Sequence, residues 1–338
     1  MSNASSDPNY LEMAHTIIGP LIPSGAPVAL FDFPNYSNVG DSAIWLGEEY
    51  YLDAKLHAKV LAVDDNQLAH RKPPALPENA IVLLQGGGNL GDLYSHHQAV
   101  REYVITHYRR HRVIQFPQSI HFQDSRNEAR CRGVFNSHPD FHLVVRDRVS
   151  LELAQRLYDG PTYLCPDMAL CLGCLPRPTN SLHPILGLLR TDKEKVTADE
   201  LSTEDSNGFV SVDWLDEPLT LFKRLTARLD RIVSLYPQRL AMLHRLKRPL
   251  YHRLAGERLK RGCDLLGSGQ VVIADRLHAH ILCVLMGIPH VVLDNSYGKI
   301  GNFRDTWRTG EGLCERADTL AEALERARGL LDRTVSVG

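Results

Sequence analysis

Short runs of apolar residues, mostly unbroken, punctuate the first half of the chain. They are Ala26–Pro34 (APVALFDFP), Asn79–Asp92 (NAIVLLQGGGNLGD) and His111–Phe122 (HRVIQFPQSIHF). Strict alternation marks strands with one wet face, whereas continuous runs mark strands covered on both faces of a parallel sheet. Stretches with helical spacing lie between them, such as NYSNVGDSAIWLGEEYYL and LYSHHQAVREYVITHYRR. This order predicts βαβ units. Phe141–Leu157 repeats strand, turn and helix, and Thr162–Leu172 follows. Gly173–Pro184 holds three prolines among turn-forming residues and reads as a linker. A new strand opens at Ile185–Glu194, the stretch to about Asn207 reads as loop, and Gly267–Asn295 is again strand, helix, strand. The predicted fold is α/β: two Rossmann-like, doubly wound parallel-sheet domains, residues 1–175 and 176–338, facing a cleft. Ligands are expected at the carboxyl ends of the strands.

The length of 338 residues suits two domains, and 43% hydrophobic with 23% charged residues permits a sizeable core. A net charge of −2 argues against a general nucleic-acid binder. No run approaches the roughly 18 apolar residues of a membrane span. The start MSNASSDPNY does not read as a secretory signal, so a cytoplasmic location is expected. Of seven cysteines, Cys171 and Cys174 form a C-x-x-C, but no second pair completes a zinc site. Reduced structural thiols and chemistry without a metal are expected.

Polar residues at strand ends carry the candidate chemistry. NVGDSAIW places Asn38, Gly40 and Asp41 between a strand and a helix, and GGGNLGD repeats the N-x-GD at Asn89–Asp92. Gly86, Gly87 and Gly88 allow close backbone approach, and a helix start after them would favour an anion or a sugar hydroxyl. The third strand ends in Gln118, Ser119 and His121, where a structural histidine and a ligand-binding one are equally compatible with the pattern. VVRDRVS reads as a capped helix start with a local ion pair, and Asp167 as a cap or a cleft residue. In VVIADRLHAHILCVLMGIP, Asp275, Arg276, Leu277 and His278 lie where a strand turns into a helix that ends at Gly287. The helix N-terminus, a forked cation and a group that titrates near neutrality together suit a small dianion with proton transfer in reach. An Arg276–Asp275 pair with a capping histidine explains the same residues. Arg190 and Lys299 could add further cations.

The motifs NVGDSAI, GGGNLGD, PQSIHF, VRDRVS, CPDMAL, a strand ending in Arg190, and ADRLHAHI followed by GIP occur in an order that resembles the polysaccharide pyruvyl transferase family. The resemblance spans about Phe31 to Trp307. It implies a glycosyltransferase-B-like fold and transfer of pyruvate from phosphoenolpyruvate, as co-substrate with no other cofactor, onto a sugar as a ketal. It further implies that Arg276, Leu277 and His278 contact phosphoenolpyruvate, with Arg190, His121 and Lys299 as further contacts. His278, Asp41 and Asp92 are the expected acid, base or orienting groups. Asn38, Gly40, Gly86, Gly87, Gly88, Asn89, Gln118 and Ser119 would line the cleft. The rivals are a nucleotide-sugar glycosyltransferase of the same architecture and a non-catalytic glycan-binding protein.

Leu221–Gly262 carries twelve Lys or Arg against two acids, with Leu221, Leu225, Leu229 and Ile232 at helical spacing and Pro237 and Pro249 as interruptions. A basic amphipathic helix pair suits an anionic lipid surface, and a solvated basic face is the plain alternative. The resemblance implies an acceptor linked to a lipid diphosphate such as undecaprenyl diphosphate. Peripheral attachment to the inner face of the cytoplasmic membrane is the corresponding expectation.

Overall fold

The computed structural model describes residues 9–70, 73–179, 181–190, 204–205, 209–235, 240–294 and 298–335. The chain divides into two compact units. One comprises Met1–Phe33, Ile44–Gly173 and Val233–Arg248; the other comprises Pro34–Ala43, Cys174–Ile232 and Pro249–Gly338.

The first unit is built on strands β1 (Pro27–Phe33), β2 (Lys59–Asp65), β3 (Ile81–Leu84), β4 (Gly87–Gly91), β5 (Val113–His121), β6 (Phe141–Val145) and β7 (Thr162–Leu164). They form one parallel sheet in the order β2-β1-β3-β5-β6-β7, with β4 also paired to β5. The apolar runs are buried as their continuity requires: six of the seven β1 residues and all four of β3 lie inside. Helix α1 (Tyr10–Ile18) precedes β1, and helices α2 (Val39–Ala54), α3 (Ser95–His107), α4 (Ser125–Ser137) and α5 (Arg148–Leu157) follow β1, β4, β5 and β6. Phe31, Leu84, Val104, Phe135, Phe141 and Tyr158 belong to this unit's core.

The second unit holds helices α6 (Leu221–Leu235), α7 (Leu240–Gly267), α8 (Leu277–Met286), α9 (Lys299–Trp307) and α10 (Leu320–Val335), with α6 and α7 continuing into the first unit's segment. Its strands are β8 (His183–Leu188), β9 (Glu204–Asp205), β10 (Phe209–Val212), β11 (Gly269–Ala274), β12 (His290–Leu293) and β13 (Cys314–Ala317), ordered β13-β12-β11-β8-β10-β9. All pairs are parallel except β10 with β9. Ile185, Phe209, Val271, Ile273, Val291 and Ala323 lie in the core. In each sheet the chain leaves one strand in both directions, so that the winding reverses between β1 and β3 and between β8 and β11. Doubly wound sheets bind ligands at such reversals.

Four expectations are revised. Residues 34–43 pack with the second unit rather than with residues 1–175. The Arg258 guanidinium donates to the Pro34 carbonyl at 2.8 Å, and Arg261 donates to that of Ser37 at 2.9 Å. Residues 233–248 belong to the first unit, where buried Lys247 meets buried Asp64 at 2.7 Å and Arg248 meets Glu49 at 2.9 Å. Gly87–Gly91 opens no helix. With φ of +133° at Gly87 and +131° at Gly91, this segment swings back to pair with β5, and α3 begins only at Ser95. Pro249 does not end its helix, since α7 runs through it. Within the expected loop to Asn207 the described residues form the short strand β9; residues 191–203 and Pro237 lie outside the described residues.

Candidate functional site

Three neighbouring parallel strands of the second unit, β10, β8 and β11, end side by side and deliver Asp213, Arg190 and Asp275–Arg276. The Asp275 carboxylate accepts the Arg190 backbone N–H through both oxygens, at 3.0 and 2.9 Å, and so fixes where Arg190 leaves its strand. Burial raises the Asp275 pKa to about 6, although that N–H and the charges of Arg276 and Arg190 pull it down. Arg276 is 5% exposed. Its partner is Asp213, not Asp275: one terminal nitrogen donates to both Asp213 oxygens at 2.9 Å, and the guanidinium carbon lies 5.9 Å from the centre of the Trp214 ring. Arg276 occupies the N-cap of α8 with extended backbone and makes no side-chain cap bond. The first turn keeps the partial positive charge that favours an anion, although the Ala279 N–H already donates to the Arg276 carbonyl at 3.1 Å. Leu277 is buried, which leaves its backbone N–H rather than its side chain for a ligand. α8 ends as expected, with Gly287 at φ +65° donating to the carbonyls of Cys283 and Val284.

The first N-x-GD turn joins this group. A Cβ on Gly40 would stand 2.3 Å from Nδ1 and 2.5 Å from Cβ of His278, so only glycine lets the imidazole lie against this backbone. Asn38 closes the turn by accepting the Gly40 N–H at 2.9 Å, and its amide donates to Asp41 at 2.7 Å. The Tyr36 hydroxyl donates to the same carboxylate at 2.8 Å. Gly262 on α7 leaves room for Val39 beneath the turn. Lys299 starts α9, beyond the end of β12. The structure thus brings Asn38, Gly40, Asp41, Arg190, Arg276, Leu277, His278 and Lys299 into one unit.

The other predicted residues, Gly86–Asn89, Asp92, Gln118, Ser119 and His121, lie in the first unit. Most are occupied with holding their own loop. Asn89 donates its N–H to Gln118 at 3.1 Å and accepts from the Gln118 amide and from Arg101, each at 2.9 Å. Gln118 is fully buried. The Ser119 hydroxyl donates to Asp147 at 2.6 Å and accepts from Arg146 at 2.9 Å. Asp92, expected to act on a hydroxyl, binds the turn just ahead of α4, whose own N-cap is Asp124. Burial works against its charge, but the N–H groups of Gln123 and Asp124 and the Asn127 amide outweigh that and hold its pKa down. His121 ends β5 in register with Gly91, which must be glycine because a Cβ there would meet the His121 carbonyl at 1.7 Å. Asp147 caps α5 through the Ser150 N–H at 2.7 Å, as expected, whereas Arg146 pairs with Asp167 at 2.6 Å rather than with Asp147.

Several residues of these networks carried no sequence signal. Arg101 is 1% exposed and is held by the amide oxygens of Gln115, Gln98 and Asn89 at 2.6, 2.8 and 2.9 Å. Glu48 accepts the Gly86 N–H at 2.7 Å, and burial pushes its pKa well above the carboxylate range. Asp32, at φ +74°, meets His97 at 2.7 Å. Each lies inside a helix or strand pattern that reads as ordinary until the neighbouring element is in place. Trp214 and Asp213, by contrast, stand together just after a short strand.

Among the described residues one group has metal-ligand spacing: donor atoms of His280, His290 and Cys314 lie within 4.8 Å of one another. The imidazoles already form a closed chain. His280 Nδ1 meets His290 Nε2 at 2.8 Å, His280 Nε2 meets the Thr309 hydroxyl at 2.8 Å, and His290 Nδ1 donates to the Ile288 carbonyl at 2.8 Å. Burial keeps both rings neutral, with the His290 pKa lowered to about 4. All seven cysteines are free, and Cys131, Cys165, Cys171 and Cys283 are buried.

Residues 38–297 match the family model described as polysaccharide pyruvyl transferase. Pyruvyl transferase 1 of Schizosaccharomyces pombe is 31% identical over 326 residues, covering 90% of this chain and 75% of that protein. EpsO of Bacillus subtilis, also named for pyruvyl transfer, is 30% identical and covers 86% of this chain and 88% of its own. General stress protein 30 of the same organism is 27% identical over 90% of this chain and 84% of its own. An uncharacterized protein of Klebsiella pneumoniae, solved by crystallography, shares the fold at a TM-score of 0.53 and 16% identity, over 83% of this chain and 88% of that one. The matched span takes in every motif of the strand-end group from Asn38 to His278, and the chain belongs to the polysaccharide pyruvyl transferase family.

Proposed function

We propose that the protein transfers pyruvate from phosphoenolpyruvate to a sugar of a lipid-diphosphate-linked exopolysaccharide repeat unit and closes a ketal. One observation carries this reading. At the reversal between β8 and β11, Arg190, Arg276 and His278 stand with the side-chain-uncapped N-terminus of α8. Phosphate and carboxylate both need donors, and guanidinium groups with helix N–H groups supply them.

In the proposed reaction the methylene C3 of phosphoenolpyruvate gains a proton, which makes C2 electrophilic. A sugar hydroxyl forms a C–O bond to C2 and loses its proton. The C2–O bond to phosphate then breaks, phosphate leaves with the electron pair, and a second hydroxyl adds to C2 and gives up its proton. Of the two protons released, one balances the proton gained at C3 and the other leaves with phosphate or solvent. His278 is assigned the proton transfers, because an imidazole serves as acid and base near neutral pH. Arg276, Arg190 and Lys299 are assigned to the donor's anionic groups. Asp41, held by Tyr36 and Asn38, is assigned to orient a hydroxyl.

The test is incubation with phosphoenolpyruvate and a defined lipid-linked glycan. The expected result is phosphate release matched by gain of a pyruvyl group on the glycan. Consumption of a nucleotide sugar with no phosphate from phosphoenolpyruvate would overturn the reading.

A further inference from the structure

The basic stretch divides into two kinds of cation. On α7 the cations with described side chains are mostly engaged: Lys247 with Asp64, Arg248 with Glu49 and Asp53, Arg258 and Arg261 with Glu217, and Lys260 with Asp264. On α6, Arg224, Arg228 and Arg231 are exposed, and among the described residues no carboxylate pairs with them.

The apolar residues of α6 are unusual as well. At 3.6 residues per turn, Thr226, Asp230 and Val233 share one side, and all three are buried. Leu221, Leu225, Ile232 and Leu235 share the opposite side. They are 66%, 39%, 37% and 63% exposed, with Leu219 just before the helix at 62%. Arg228 falls inside this apolar row, and Arg224 and Arg231 run along one edge. The only acid of the helix, Asp230, is turned inward, where Tyr251 and Asn35 donate to it at 2.8 and 3.1 Å. A solvated face would carry polar residues where these leucines stand.

We propose that this face of α6 rests on the surface of an anionic bilayer. The charge pattern selects this occupant. A second copy laid on the row would press Arg228 against its own equivalent, and an apolar protein groove would bury that guanidinium unpaired. At a lipid interface the leucines enter the acyl boundary, while Arg228 extends to the phosphates and Arg224 and Arg231 meet headgroups along the edge. No helix among the described residues is long and apolar enough to cross a membrane, so the contact is interfacial. The inference is carried by α6 and stands apart from the phosphoenolpyruvate reading.

The test is co-sedimentation of the full chain with phosphatidylcholine vesicles, with and without phosphatidylglycerol. Binding is expected only with phosphatidylglycerol and is expected to weaken with salt. Combining Arg224→Gln, Arg228→Gln and Arg231→Gln is expected to lower the partition coefficient about a hundredfold, at about fivefold per basic residue. Combining Leu221→Ser, Leu225→Ser and Ile232→Ser is expected to abolish binding, whereas Lys260→Gln on α7 leaves it unchanged. Thermal melts establish that the variants fold, and transfer to a water-soluble acceptor should persist in them. Equal binding to both vesicle types, no binding at all, or a dimer in free solution that the serine variant dissolves would each overturn the proposal.

Discussion

The strand ends of the two units are built from similar residue types and used differently. In the first unit, Asn89, Gln118, Ser119 and Asp92 spend their hydrogen bonds on one another and on Arg101, Arg146 and nearby backbone. In the second, the carboxylates take supporting roles. Asp275 holds the backbone of Arg190, Asp213 holds one nitrogen of Arg276, and Gly40 gives His278 a bare stretch of backbone to lie against. In the proposed reading a polar strand end serves the reaction when its acids are committed to positioning cations; when the polar groups close on themselves they hold their own loop.

That contrast can be broken most sharply at His278. His278→Ala is expected to lower the rate of pyruvyl transfer about a thousandfold while the melting temperature stays near that of the parent, because the side chain is only partly buried. Near-normal phosphate release would remove it from the chemistry. Arg276→Lys should cost about a hundredfold in kcat/KM, since an ammonium cannot hold Asp213 and an anion through separate nitrogens of one fork. A loss no greater than that of a surface Arg→Lys control would place the anion elsewhere.

Asp275 sharpens the comparison through pH. Its pKa is raised by burial to about 6, so the folded protein holds this proton more tightly than the unfolded chain does. Its contribution to stability is therefore present at acid pH and is lost as the pH rises through about 6. Asp275→Asn should flatten that dependence, by at most about 3 kcal/mol given ~1.4 kcal/mol per pKa unit. Urea unfolding on either side of the transition measures it, and an unchanged slope would exclude Asp275. Gly40→Ala should cost about 2 kcal/mol from overpacking and should disturb transfer by moving the imidazole, which paired melting and rate measurements would register. Asp92→Ala is the smallest effect expected: about 1 kcal/mol of stability with the transfer rate barely changed, as befits a carboxylate that accepts the backbone of the turn before α4. A large rate loss in a folded Asp92→Ala protein would return Asp92 to the chemistry.

Much of the second site was legible in the chain. ADRLHAHI between two apolar runs fixed a strand, a turn and a helix, and β11, α8 and β12 follow that reading closely. Periodicity also located α6, but its inward side was invisible. The leucine row looks like a core-facing stripe, and only the packing of Thr226, Asp230 and Val233 turns it outward. The alternative pairing of Arg276 with Asp275 fails for a related reason. Asp275 is adjacent in sequence, yet an extended N-cap points neighbouring side chains apart, and the sheet order brings Asp213 alongside.

Local patterns determined what local physics governs: which runs are strands buried on both faces, where helices begin and stop, that a cation and an imidazole share one strand-to-helix turn, and the family to which the motif order belongs. Tertiary structure alone decided which unit residues 34–43 join, that Gly40 rather than the glycine run of 86–88 seats His278, and which arginines have no carboxylate partner among the described residues. Those outcomes depend on pairings between strands and helices far apart in the chain, where the energy of a contact is set by geometry that no neighbouring residue encodes.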